Sequence, residues 1–178
     1  VYLAEEERRA LMGVIKDPRD RAMFRLAMEH GLRASELGLI EVADWNRRTN
    51  RIYLRRLKGS ISQDYLLTSE ELRTLRSWIR VRGKVPGPLF PGYKHGGIRR
   101  HALNKLMHRY GELAGLPAHK RHFHCLKHTC GTMLRDAGVE IAGIQDHLGH
   151  SDVRSTMVYA QCTETQRRDV ARRLEATR

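Results

Sequence analysis

The last third of the chain gathers side chains that can handle a phosphodiester. H-C-L-K-H-T at 124–129 is followed by L-G-H at 148–150 and a tyrosine at 159, and G-L-R-A-S-E-L stands earlier at 31–37. Transesterification at a DNA phosphodiester needs a nucleophile, cationic donors for the non-bridging oxygens, and a proton donor for the departing 5′ oxygen. Tyr159 can serve as a nucleophile: its phenolate can attack phosphorus and keep the bond energy in a covalent phosphotyrosyl link. Such a step consumes no metal, nucleotide or other cofactor. An unperturbed phenol titrates near ~10, so a neighbouring base or positive field has to activate it at neutral pH. Arg33 offers a fixed fork of donors suited to two phosphate oxygens at once. His124 and His150 can exchange a proton with Tyr159 or donate to an oxygen. Singly, each has an ordinary reading as a packed ring, a surface ion pair or a solvated imidazole. Their spacing is what points to chemistry.

These segments resemble the three boxes of the tyrosine recombinases, the phage-integrase family. There an arginine box comes early, a His-x-x-Arg box late, and a tyrosine nine residues beyond the histidine of a Leu-Gly-His box. Arg33, His124, Lys127, His150 and Tyr159 fall on those positions, and 159 − 150 is nine. The resemblance covers nearly the whole chain. It implies a mainly α-helical domain with a small β-hairpin, the α+β fold of a tyrosine recombinase catalytic domain, over residues 1–178. It also implies site-specific recombination or integration of DNA, as of a mobile genetic element, through a 3′-phosphotyrosine intermediate.

The implied partners are double-stranded DNA and further copies of the chain, as a tetramer on DNA, in the cytoplasm of a prokaryote or as a phage-encoded, DNA-associated protein. By the same resemblance Arg33 is the first catalytic arginine and Glu36 orients it. Lys58, 25 residues after Arg33 by 58 − 33, takes the place of a mobile lysine that protonates the leaving oxygen. His128 also matches its box and is expected to buttress the helix rather than touch DNA.

One position departs from the family: Lys127 stands where a second arginine is usual. An ammonium supplies charge there but cannot bridge two oxygens as a guanidinium does. Losing one such donor typically costs about 2.7–4 kcal/mol in the transition state. A DNA-binding protein of the same fold with weakened or lost cleavage is therefore an alternative, and a type IB topoisomerase-like enzyme shares the chemistry. A zinc site is a further reading, because His122, His124, Cys125, His128 and Cys130 lie within nine residues. It lacks the central glutamate of H-E-x-x-H and a paired C-x-x-C.

Composition agrees with a nucleic-acid partner. Lys and Arg number 33 against 20 Asp and Glu, a formal charge of +13, which attracts polyphosphate and leaves an anionic protein or membrane surface as the other option. No apolar run approaches the ~20 residues of a membrane span. The 178 residues suit one domain, and the odd count of 3 cysteines fits no disulfide framework and suits a reducing compartment. The chain opens on Val1 rather than Met and is expected to be part of a longer protein. Family members usually carry a smaller helical DNA-binding domain before the catalytic one, and nothing in 1–178 reads as that domain.

The elements that must position these residues are mostly helices. Helical spacing runs from Ala4 to Ile15, Asp17-Pro18 caps and opens a second helix ending near Gly31, and Arg33 stands at the entrance of a short helix through Leu39. Residues 51–57 and 62–67 read as a hairpin with Lys58 and Gly59 at its turn, the one strong β signal. Thr68-x-x-Glu71 is a capping box opening a helix to about Val81, and the Gly/Pro-rich stretch 83–92 is a loop. Helices are expected at about 98–114, 124–137, 140–148 and 152–160, the last capped by Ser151. Thr163-x-x-Gln166 should open a tail helix over 164–176. Its apolar stripe with an arginine surround suits docking on a neighbouring protomer.

Overall fold

Helix α2 (Pro18–His30) organises the molecule. Asp17 accepts a hydrogen bond from Asp20 N at its start, Pro18 occupies the first turn, and Gly31 closes it in the left-handed region at φ 57°. Its Ala22, Met23, Phe24, Leu26 and Ala27 are wholly buried, so it runs through the core rather than along its edge. Phe24 meets Tyr110 and Phe123 edge-on at 5.7 and 5.5 Å. The computed structural model describes residues 1–57, 59–93, 96–160 and 164–176.

Around α2 lie α1 (Glu5–Val14) and the short α3 (Ala34–Leu37), then strands β1 (Trp45–Asn46), β2 (Arg51–Leu54) and β3 (Gln63–Leu66). The strands form an antiparallel sheet in the order β1-β2-β3, with Ile52 opposite both Trp45 and Tyr65. Helices α4 (Ser69–Arg82), α5 (Arg100–Leu113), α6 (Cys125–Asp136), α7 (Ile141–His147) and α8 (Glu164–Glu175) follow. α2 packs on α4 and α6, and α7 packs on α6. Cys130, Ile144, Leu148 and Tyr159 form a small second apolar cluster where α6, α7 and the tyrosine segment meet. Among the described residues no helix is long and apolar enough to cross a membrane.

The expected helices stand within a few residues of their positions, and the Thr68 box is present, with Thr68 Oγ1 accepting from Glu71 N and Glu71 accepting from Thr68 N. Three expectations change. The strands end at Leu54 and resume at Gln63, so residues 55–57 and 60–62 are outside the hairpin's strands, and Lys58 lies outside the described residues. The sheet has a third strand, β1, whose two residues are too short for an alternation pattern to reveal.

Residues 152–160 form two 3₁₀ turns, Val153–Ser155 and Met157–Tyr159, rather than one α-helix, and Asp152 rather than Ser151 caps the first through Arg154 N. The β-branched Val153, Thr156 and Val158 weaken a helix there, and i→i+3 bonds such as Tyr159 N to Thr156 O tighten the chain instead. The tail is helical as expected. The box formed by Thr163 and Gln166 lies outside the residues whose side chains are described.

Candidate active site

Arg33 precedes α3, and Glu36 one turn on is completely buried beneath it. Glu36 accepts from the Arg33 N–H at 2.8 Å, from Arg33 Nη1 at 2.9 Å and from the Leu57 N–H at 3.1 Å. Burial alone would raise the carboxyl's pKa, but these donors and the nearby Arg56 bring it below its ordinary value, so it stays charged. Arg33 Nη1 also reaches Leu57 O and Ser60 Oγ at 3.3 and 3.0 Å. Leu57 and Ser60 are thereby fastened to the arginine box.

Arg56, which the sequence reading passes over, is a buried guanidinium joining four segments. It donates to His30 O at 2.7 Å, Gly31 O at 3.3 Å, Tyr65 Oη at 3.1 Å and His147 O at 3.2 Å, and lies 3.4 Å from Glu36 Oε2. The end of α2, the arginine box, the sheet and the Leu148-Gly149-His150 segment are fixed relative to one another by this one side chain. Gly149 makes a second join: its carbonyl accepts from Ile61 N at 2.9 Å, its φ is +64°, and a Cβ there would fall 2.7 Å from Ile61 O. Glycine is required at that place in Leu-Gly-His.

Lys127 faces inward from the first turn of α6. It is 4% exposed and its Nζ has no hydrogen-bond partner among the described residues. Burial, followed by the positive charges of Arg33 and Arg56, pushes its pKa down to about 8. His150 is also buried, with Nδ1 2.9 Å from the Oγ1 of fully buried Thr156. Burial, then Lys127, Arg33 and Arg56, brings it down to about 4, so the imidazole is neutral at pH 7. His124, exposed just before α6, has a pKa lowered by partial burial and then by Lys127 and Arg33. Arg33 and Lys127 thus form a cationic pair, bordered by His124 and the neutral His150, with Glu36 as its buried counter-charge.

Tyr159 is buried against α6, 5% exposed, with its ring on Gly131 and its hydroxyl 3.1 Å from His128 Nδ1. Burial, and then Cys130, pushes the phenol up to about 12. His128 stands edge-on to His124 at 4.9 Å and so links the tyrosine to the cationic pair. The structure therefore joins Tyr159 to His128, a residue expected only to buttress the helix. Among the described residues no three His, Cys, Asp or Glu side chains are grouped to hold a metal ion.

A cleft of about 520 Å³ opens beside Arg33 and His124 and is lined by Arg100, Asn104, His108 and Arg121. Residues 100, 104 and 108 recur every four positions along α5, the spacing that places side chains on one helical face.

The Phage integrase family model matches residues 2–166. The chain belongs to that family, the tyrosine recombinases. Type 1 fimbriae regulatory protein FimB of Escherichia coli K12 is 31% identical over 145 residues, covering 79% of this chain and 72% of FimB. Tyrosine recombinase XerC of Actinobacillus pleuropneumoniae is 30% identical over 146 residues, covering 80% of this chain. The chain spans about half of that relative's length, the match covering 47% of it. The crystal structure of XerA recombinase superposes with a TM-score of 0.81 at 25% identity, over 97% of this chain and 64% of the other. The phage-integrase boxes and the fold are therefore the same assignment reached from two directions.

Proposed function

We propose that this chain carries out site-specific DNA recombination, cleaving and rejoining strands through a 3′-phosphotyrosyl intermediate at Tyr159. The enzyme class, a tyrosine-type site-specific DNA recombinase acting on DNA, follows from family membership; the residue roles are those the family resemblance implies, and the surroundings of Arg33, Lys127 and His150 support them. The observation that carries them is the buried Lys127 Nζ, left without a hydrogen-bond partner among the described residues and crowded by Arg33 and Arg56. A buried ammonium repelled by two guanidinium groups is costly unless an anion completes the site. A scissile phosphate supplies that anion.

Arg33 then binds the non-bridging oxygens, held in place by Glu36. Lys127 adds a point charge where negative charge develops in the transition state. The neutral His150, fixed through Nδ1 by Thr156, has Nε2 available toward an oxygen, and His124 borders the basic cleft where the duplex approaches. The leaving 5′ oxygen takes its proton from Lys58, whose neighbours Leu57 and Ser60 are bound by Arg33.

The working unit in this proposal is a tetramer on double-stranded DNA in the cytoplasm. α8 lies over a cleft of about 570 Å³ between Val170 and the Val139, Ile141 and Tyr159 region of its own domain. With Val170 57% exposed, the helix retains apolar surface for a neighbouring copy.

Covalent capture from a library of random nicked duplexes tests this reading. Denaturation-resistant adducts enriched for one sequence support it. Capture without sequence enrichment supports topoisomerase-like action, and DNA binding without any adduct supports an inactive binder.

A further inference from the structure

We infer that His128 is the base that takes the proton from Tyr159 during cleavage and returns it on rejoining. This rests on Tyr159 being the nucleophile. His128 Nδ1 lies 3.1 Å from the phenolic oxygen, within the range in which a general base works directly. Neither partner is loosely held. The tyrosine ring is fixed by its contact with Gly131 and by the Tyr159 N–H bond to Thr156 O at 2.9 Å. The histidine belongs to α6, where its carbonyl accepts from Thr132 Oγ1 at 3.0 Å.

A base also has to be unprotonated at working pH. His128 is held below the ordinary imidazole range by burial, and then by His124, Lys127 and His122 around it. A phenol at about 12 needs such a partner, since little phenolate forms unaided near neutral pH. The two histidines of the box then divide the work. His124 serves the phosphate side, beside Arg33 and the basic cleft, and His128 serves the nucleophile.

The lone pair of His128 Nδ1 accepts the phenolic proton as the Tyr159 Oη–P bond forms. The P–O5′ bond breaks with its electron pair on O5′, which is protonated by the acid assigned to Lys58. On rejoining, the 5′ hydroxyl attacks phosphorus, the Oη–P bond breaks, and the imidazolium returns its proton to Tyr159. No oxidant or reductant enters.

The test is single-turnover cleavage of a captured suicide duplex by the parent, His128→Asn and Tyr159→Phe, each checked for folding by circular dichroism. Asparagine can still hydrogen-bond near the Nδ1 position but is not basic. His128→Asn is expected to cleave on the order of 10² to 10⁴ times more slowly than the parent, at similar DNA affinity. Fluorotyrosine at position 159, a more acidic phenol, should then recover at least tenfold in the His128→Asn background relative to its effect in the parent.

A His128→Asn protein that cleaves at the parent rate overturns the inference, as does a defect equally large with both nucleophiles. If asparagine prevents folding, His128→Gln is put through the same comparison. Loss of the adduct in Tyr159→Phe isolates these outcomes from the underlying reading; an adduct that persists there removes Tyr159 itself, and His128 with it.

Discussion

Tyr159 lies so close to Gly131 that a Cβ built on the glycine would fall 2.3 Å from the ring carbon Cζ. Gly131 is inside α6, where alanine would favour the helix by roughly 0.5–1 kcal/mol. The glycine is therefore retained against local propensity, and the tyrosine ring accounts for it.

Gly131→Ala should displace the tyrosine while leaving α6 intact. Cleavage is expected to fall on the order of 10²-fold, the scale of an ångström misplacement of a reacting group. DNA affinity, measured by fluorescence anisotropy, should change little because it derives from the basic surface.

In the proposed mechanism Lys127 trades stability for function. Its folded pKa of about 8 lies below the ordinary 10.5, so between these values the unfolded chain binds more protons and stability should rise with pH. Lys127→Met should raise the melting temperature at pH 7 by removing a buried unpaired charge, and should lower cleavage by on the order of 10² or more. Lys127→Arg should speed cleavage if the pocket admits the fork. Thermal melts from pH 7 to 10 and single-turnover rates on a suicide duplex check both effects.

The histidines give the opposite end of the pH range. His124, His128, His147 and His150 all sit below the imidazole value of 6.5, His150 at about 4. The unfolded chain binds more protons over that interval, so stability should fall as pH drops from about 6.5 toward 4. His150→Asn should flatten part of that slope in urea titrations at pH 7 and pH 5. Thr156→Val, which removes the partner of His150 Nδ1, should cost about 1 kcal/mol in the same titration and slow cleavage without weakening DNA binding.

Arg56→Met should be severe because it strands Glu36 and the carbonyls of His30 and His147. A loss of about 3–5 kcal/mol is expected for breaking a buried charge network, read as a lower denaturation midpoint with the slope unchanged. Arg56→Lys should recover only part of it, since an ammonium cannot reach all these acceptors at once.

Much of this was open to reading in the chain, for identifiable reasons. Asp17-Pro18, Thr68-x-x-Glu71 and the helical periodicities act locally, and the structure keeps them. The Leu-Gly-His spacing carries a backbone requirement, the φ of Gly149 and its approach to Ile61, so the box announces itself. Arg56 was legible in principle: burial alternates along β2 through Ile52 and Leu54, and two more steps put Arg56 on the inner face. A charge at an inward position signals a buried network, but its acceptors are backbone carbonyls far along the chain, which no sequence pattern names. The contact between His128 and Tyr159 was hidden for a related reason. It depends on the 3₁₀ path of 153–159 and on Gly131, 28 residues before the tyrosine by 159 − 131, neither of which leaves a local signature.

The most direct measurement is to map the covalent adduct itself. The protein is incubated with a nicked suicide duplex, denatured and digested, and the nucleotide-bearing peptide is sequenced by mass spectrometry. The expected result is a nucleotide remnant on Tyr159 and no adduct from Tyr159→Phe at unchanged DNA affinity. A remnant on any other residue, or an adduct that persists in Tyr159→Phe, would contradict the assignment of Tyr159 as the nucleophile.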